Sequence, residues 1–166
     1  MSLEEFASIA EIIGALAVVV SLLYLARQVK TANDLNRVDA FRDILYSLTA
    51  HLNLMFSVEN ASLTVKGFQK YTSLAAEEKL RFEHLMSGLF QHAEDSWNSL
   101  EVGIVATDLK DNWTWFLREK FFPYPGVRDW WAEYKPGYAP GFRDWIDSVE
   151  SDANRDGDPY NIKKID

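Results

Sequence analysis

Apolar and polar positions are unevenly distributed along this chain, and the unevenness predicts its first element. From Phe6 to Ala26 the only side chain with a formal charge is Glu11, and no polar stripe interrupts the run from Ile12 to Ala26. A segment apolar on every side reads as an α-helix whose solvent is not water. Its 21 residues rise about 31 Å at about 1.5 Å each, close to the thickness of a bilayer's hydrocarbon core. Ile9, Ile12, Ile13, Leu16, Val18, Val19, Val20, Leu22, Leu23 and Leu25 each favour insertion by roughly 0.3 to 0.6 kcal/mol, and Glu11, near one end, costs far less than it would at mid-bilayer. The expectation is a transmembrane helix over residues 6–27 after a short N-terminal segment, 1–5. A cleaved signal peptide would carry a basic stretch where this chain has Glu4 and Glu5, and no small-x-small site closes the run. A buried helix of a soluble protein would show a polar stripe.

Flanking charge sets the expected orientation. Arg27, Lys30 and Arg37 follow the apolar run and no Lys or Arg precedes it, although Asp34 and Asp39 lie among them. The bias places the N-terminus outside and the remainder of the chain in the cytoplasm.

Two periodic stripes follow. Ala7, Ala10, Gly14, Ala17 and Ser21 recur at spacings of 3, 4, 3 and 4, which gathers small side chains on one helix face. In lipid, close backbone approach drives helix association, so this stripe is a candidate packing face, although Ala and Gly are common in such helices for other reasons. No Gly or Pro occurs between Ala15 and Asn60, so the helix is expected to continue past the membrane. Val38, Phe41, Leu45, Leu48, Leu52 and Met55 then form an apolar seam with the same alternating spacing. It reads either as the core face of the first helix of a folded domain or as a self-associating coiled coil. Ile44, Leu54 and Phe56 broaden it beyond a strict two-position seam.

Beyond the seam, Glu59 to Ser73 is polar, contains Gly67, and reads as a connector holding at most a short helical turn. A long helix is expected next, capped by Thr72 or Ser73, with Glu77 and Glu78 at its positive end. Phe82, Leu85, Met86, Leu89, Ala93, Trp97 and Leu100 make its buried face and Gly103 its stop. A further helix starts at Asp108, with Leu109, Trp113, Phe116 and Leu117 on one side, and ends by Pro123. Pro125–Tyr134 and Pro140–Val149 read as two shorter helices around the turn Lys135-Pro136-Gly137, and no strand pattern stands out. The triplet Arg-Asp-Trp occurs at Arg128–Trp130 and again at Arg143–Trp145, an echo too short to define a repeat architecture.

Aromatic residues are concentrated late in the chain. Residues 113–145 hold twelve of the twenty-three aromatic residues, among them Trp113, Phe116, Trp130, Trp131, Tyr138 and Trp145. They read as a core that pins the short helices, as a membrane-interface contact, or as a groove for a partner.

Composition narrows the chemistry. Of 166 residues 48% are apolar and 25% charged, enough for one folded domain besides the anchor. A net charge of −8 without a local Lys/Arg cluster disfavours nucleic acid as a partner. With no cysteine, disulfides, thiolate metal sites and cysteine nucleophiles are excluded. The residues three positions before His51, His84 and His92 are Leu48, Arg81 and Leu89, so the Glu-x-x-His motif of di-iron bundles is absent. His84 and His92, with Glu94 and Asp95, share one helix, an arrangement that is ordinarily solvated. Zinc-protease spacing, a phosphate loop and a nucleophile elbow are absent too. Asp152, Asn154, Asp156, Gly157 and Asp158 match the first half of a calcium loop, but Lys163 stands where a bidentate Glu belongs and Pro159 interrupts it, which favours a simple acidic turn.

The stretch IAEIIGALAVVVSLLYLARQVK from Ile9 to Lys30 resembles the start of a group of small bacterial membrane proteins of uncharacterised function. In that group one N-terminal helix, ending in an aromatic and then Arg or Gln, precedes a helical domain. Glu77–Phe90 with its EEKLRFEHLM core, Glu94–Gly103, and Trp130-Trp131 followed by Phe142 and Ile146-Asp147 are further echoes. The resemblance implies a bacterial inner-membrane protein and carries over no catalytic residue.

The sequence thus predicts an all-α chain: a transmembrane helix over 6–27 continuing into a cytosolic bundle of about four to five helices over 28–153, with a C-terminal tail over 154–166. The expected function is a membrane-anchored interaction protein, self-associating or an accessory subunit of a membrane complex, with the lipid bilayer as a further partner. The alternative is a tethered enzyme or ligand-binding domain with a pocket among the aromatic helices. No cofactor, metal or catalytic residue is expected.

Overall fold

The computed structural model of the chain describes residues 3–101 and 108–162, with side chains from Ala7 onward except Ile9 and Ala10. Among the described residues there are six α-helices, two single-turn 3-10 helices and no strand. The helices are α1 (Leu3–Met55), α2 (Val58–Lys70), α3 (Ala76–Glu101), α4 (Asp108–Lys120), α5 (Pro125–Tyr134) and α6 (Pro140–Ser151). Gly103 and Lys163 lie outside the described residues.

Contacts divide the chain into two units, Met1–Ala40 and Phe41–Asp166. In the first, every side chain from Glu11 to Asp39 is exposed. The helix α1 runs 53 residues, with no Pro and with Gly14 as its one glycine.

The second unit begins with the last turns of α1. Met55 is buried there, and Ile44, Leu48 and Leu52 are partly buried against the core. A helix leaves its final carbonyls without internal partners. Here Asn60 Nδ2 donates to the Leu54 carbonyl (2.9 Å) and Thr64 Oγ1 to that of Met55 (2.8 Å).

Those two side chains belong to α2, which corrects the expectation of a connector over Glu59–Ser73. This stretch is a full helix, Val58–Lys70, closed by a 3-10 turn over Tyr71–Ser73. Its buried positions are Asn60, Leu63, Thr64, Gly67 and Phe68. That is helical spacing carried partly by small and polar residues, so a count of apolar positions passes over it. Asn60 also accepts from Arg81 Nη2 (2.8 Å), and Gly67 lies under the Phe82 ring.

The start of α3 is also corrected. Thr72 and Ser73 sit in the 3-10 turn, and the Ser73 hydroxyl donates to the Lys70 carbonyl (2.8 Å) instead of capping α3. Glu78 accepts from the Ala75 amide (3.1 Å) and from Lys66 Nζ (2.7 Å). The buried face of α3 comprises Phe82, Leu85, Met86, Leu89, Phe90, Ala93 and Ser96, with Trp97 and Leu100 partly exposed.

Leu109, Trp113 and Leu117 are the buried residues of α4, and the turn after it buries Phe121, Phe122, Pro123 and Tyr124. The Arg128 guanidinium donates to the Phe122 carbonyl (2.5 Å) and braces that turn. Both short helices start with Pro at the first position after an extended residue, where the missing amide costs nothing. The Arg-Asp-Trp echo extends in both to Pro-Gly-x-Arg-Asp-Trp, and in each copy the x position and the Trp are buried while the Asp is exposed. The segment 154–162, expected as a tail, packs on the domain instead: Ile162 is buried, its carbonyl accepts from Gln69 Nε2 (2.7 Å), and Tyr160 stacks on Tyr124.

Backbones of α2 and α5 approach closely where Gly67 faces Gly126. A Cβ at Gly126 would collide with the Gly67 carbonyl oxygen, whereas one at Gly137 would meet nothing within 4 Å. Gly126→Ala should therefore lower the unfolding free energy by about 3 kcal/mol. Gly137→Ala should stay within about 0.5 kcal/mol of wild type. Urea denaturation followed by tryptophan fluorescence distinguishes the two.

Candidate functional site

In the first unit the candidate packing stripe is open to its surroundings. Ala7, Ala17 and Ser21 are exposed, a Cβ at Gly14 would meet nothing within 4 Å, and the side chain of Ala10 lies outside the described set. Ser21 Oγ donates to the Ala17 carbonyl one turn back (2.8 Å), so its hydroxyl needs no water. The aliphatic residues around the stripe are equally bare, from 52% exposure at Val19 to 65% at Val20.

The seam in α1 is graded. Val38 belongs to the first unit and is exposed, Phe41 and Leu45 retain 39% and 42% exposure, Leu48 and Leu52 are partly buried, and Met55 is buried. Its middle portion forms one wall of an open groove of about 310 Å³. Phe41, Leu45, Leu48 and Leu52 from α1 face Leu109, Trp113, Trp115 and Phe116 from α4, and Asn112 is the polar residue at the rim. Such a groove can hold an apolar side chain or a small apolar ligand. It brings no acid, base or nucleophile together, and nothing in the structure points to an enzyme. Trp115, which sequence reasoning counted but did not single out, is half exposed, with Lys120 Nζ at 5.8 Å from its ring centre. Its signal lay in the period of α4, where it falls off the stripe of Leu109, Trp113 and Leu117.

Away from the groove, the aromatic residues around Phe90 are packed together rather than arranged around a cavity. Phe90 of α3 is fully buried, with Trp130 at 4.9 Å, Trp131 stacked on it at 5.1 Å and Phe122 edge-on at 6.0 Å. Trp113, Trp130, Trp131 and Trp145 are all buried, while Phe116 and Tyr138 are partly so. Trp131 Nε1 donates to Asp147 (2.8 Å) and Trp145 Nε1 to Thr114 (3.2 Å). Burial alone would raise the Asp147 pKa, but the hydrogen bonds from Lys135 and Trp131 outweigh it and hold the carboxyl below its ordinary range. Burial, reinforced by the Asp158 carboxylate, pushes the Tyr124 phenol up, so that hydroxyl stays protonated as a donor.

Histidines gather where α1 crosses α3. His51 Nε2 lies 2.7 Å from the Leu85 carbonyl, its ring rests over Gly88, and the His92 ring is edge-on at 5.4 Å. Burial lowers the His51 pKa below 6.5, and His92 and His84 add to the shift, against the Leu85 hydrogen bond. Sequence reasoning grouped His84 with His92 but not His51, because that partnership joins two helices and no periodicity marks it.

The acidic turn does not form a metal cradle. Asp152 closes α6 and is exposed, and Asn154 Oδ1 accepts from the Asp156 amide (3.1 Å). Asp158 Oδ1 accepts from both the Tyr124 hydroxyl (3.0 Å) and the Ile162 amide (2.8 Å). These are structural uses, and no group of three metal-ligating side chains occurs among the described residues.

Comparison with protein-family models, curated proteins and solved structures finds no match.

Trp113 and Trp115 are two residues apart on α4 but differ in burial, 2% against 52% exposure. Trp113→Ala should cost about 3 to 5 kcal/mol of stability. Trp115→Ala should cost less than about 1 kcal/mol. Parallel chemical denaturation of the two variants tests whether α4 presents the face described.

Proposed function

We propose that this chain is a membrane-anchored helical protein that acts by association, with a second copy of itself or as an accessory subunit of a membrane complex. The observation that carries the reading is the bareness of the apolar run. The helix holds a window of mean hydropathy 2.0, none of which is buried. Leaving one Leu, Ile or Val side chain in water forgoes roughly 1.5 to 3 kcal/mol of burial. Many neighbours in one turn after another make water an unsuitable solvent. A core helix of a soluble domain would have these side chains covered by its own chain. A bilayer covers them without any protein contact.

Arg27, Lys30 and Arg37 support an orientation with the N-terminus outside and the Phe41–Asp166 unit in the cytoplasm, as does the absence of basic residues ahead of the run. The likeness of Ile9–Lys30 to small bacterial inner-membrane proteins supports that membrane as the location. The stripe of Ala7, Ala10, Gly14, Ala17 and Ser21 supports association within the bilayer, since small side chains allow the close approach on which helix pairing in lipid depends.

A second reading, a tethered domain that binds an apolar ligand, is favoured by the α1/α4 groove with its leucine and aromatic walls. The solid packing around Phe90 speaks against a site among the other aromatic helices.

Full-length protein expressed in bacteria should stay in the membrane pellet through an alkaline carbonate wash, with its N-terminal sequence intact. A folded, monodisperse protein in the soluble fraction would overturn the reading, and so would a mature N-terminus beyond Ala26. In detergent, the Gly14→Leu, Ala17→Leu double variant should sediment at a lower mass than wild type. Equal masses remove the stripe as the interface, and a wild type that is already monomeric excludes self-association.

A further inference from the structure

We propose that the crossing of α1 and α3 at His51, His84 and His92 is an acid-sensitive latch. It holds the Phe41–Met55 part of α1 on α3 near neutral pH and loosens it when the His51 ring gains a second proton. All three histidines of the chain act at this one crossing.

The geometry assigns the neutral tautomer. A carbonyl oxygen only accepts, so the 2.7 Å contact with Leu85 requires the proton of neutral His51 on Nε2, leaving Nδ1 bare. A Cβ at Gly88 would collide with the His51 ring, so the glycine is what admits the ring to the α3 surface. Acid places a second proton on Nδ1 and a charge on a half-buried ring, 5.4 Å from the His92 ring.

Little nearby offsets that charge. The titratable groups acting on His51 are His92 and His84, both on α3. Carboxylates that flank them on α3 have other partners: Glu83 accepts from the Tyr71 hydroxyl, Glu94 from the Ala139 amide and Asp95 from Gln91. On α1, the residues one turn either side of His51 are Ser47, Leu48, Leu54 and Met55, none of them charged.

Burial, and next to it the neighbouring His92 and His84 rings, favour the neutral ring when α1 is docked, while a released imidazole has its ordinary pKa near 6.5. Docking is therefore at full strength above that value and is lost as pH falls through the lower docked value. Release is opposed by the buried Met55, by the partly buried Ile44, Leu48 and Leu52, and by the hydrogen bonds of Asn60 and Thr64 to the Leu54 and Met55 carbonyls, which leaves the Phe41–His51 turns the more loosely held. Since α1 supplies one wall of the groove and α4 the other, acid loosening would part the walls and uncover Leu48 and Leu52.

The test uses full-length protein in detergent micelles, with histidine ring signals followed by NMR from about pH 8 to 5. His51 should titrate below 6.5, and His92→Gln should move its midpoint upward. Amide exchange over residues 44–55, corrected for intrinsic rates, should rise severalfold between about pH 7.5 and 5.5. His51→Gln keeps an amide donor for Leu85 but cannot gain charge, and its corrected exchange should stay flat. A His51 midpoint at or above 6.5, or the same acid response in wild type and His51→Gln, overturns the latch. Should His51→Gln fail to fold, His92→Gln serves in its place, and an undiminished acid response there overturns the latch as well.

Discussion

The structure of this chain is governed by where its apolar surface finds cover. The Phe41–Asp166 unit builds a core of its own, in which Phe90, Phe122, Tyr124, Val127, Trp130 and Ile146 are each sealed from solvent. The Met1–Ala40 unit covers none of the side chains described from Glu11 to Asp39. Both behaviours follow from one rule, that apolar area must leave water. A domain meets it by folding back on itself. A single helix meets it only through a different solvent or through another helix, and the proposed anchoring rests on that.

Within the folded unit, polar side chains close helix ends. Asn60 and Thr64 close the end of α1, Glu78 holds the start of α3, and Glu94 receives the Ala139 amide at the start of α6. Each relieves a backbone group that helix geometry leaves unpaired. Two buried indoles are paired in the same way, Trp131 with Asp147 and Trp145 with Thr114, whereas the buried Trp113 and Trp130 N–H groups have no hydrogen-bond partner among the described residues. Lysines, in turn, lie over ring faces: Lys79 over Tyr71, Lys110 over Trp145 and Lys120 over Trp115. Among the described residues these polar groups serve structure. What remains available is surface, namely the bare helix and the groove between α1 and α4.

The groove and the histidine crossing share the thinly attached last turns of α1. Side chains there grade from the exposed Phe41 to the sealed Met55. This part of α1 is held by the buried Met55, by partly buried leucines, by the Asn60 and Thr64 hydrogen bonds and by one imidazole, and the proposed latch rests on the last of these. The same thin attachment leaves the groove open along one side. An apolar partner that reached it would strengthen the hold of α1 on the domain.

The fold class, the long first helix, the starts of α5 and α6 and most of the buried face of α3 were legible in the chain. Each is written in local terms: a run without breakers, Pro at a first helical position, apolar residues three and four apart. Helix α2 was hidden because its buried face uses Asn60, Thr64 and Gly67, whose value depends on what they meet: two orphan carbonyls of α1, the Phe82 ring and the backbone of α5. The seam in α1 could be read but not its gradation, since periodicity gives the face of a helix and says nothing of how far a neighbour covers it. The pairing of His51 with Leu85 and His92, the use of Asp158 by Tyr124 and Ile162, and the difference between Trp113 and Trp115 were decided by tertiary structure alone. By itself the sequence determined which surfaces must leave water. Only the packing of one helix on another decided which polar atoms would meet, because those distances arise between residues far apart in the chain.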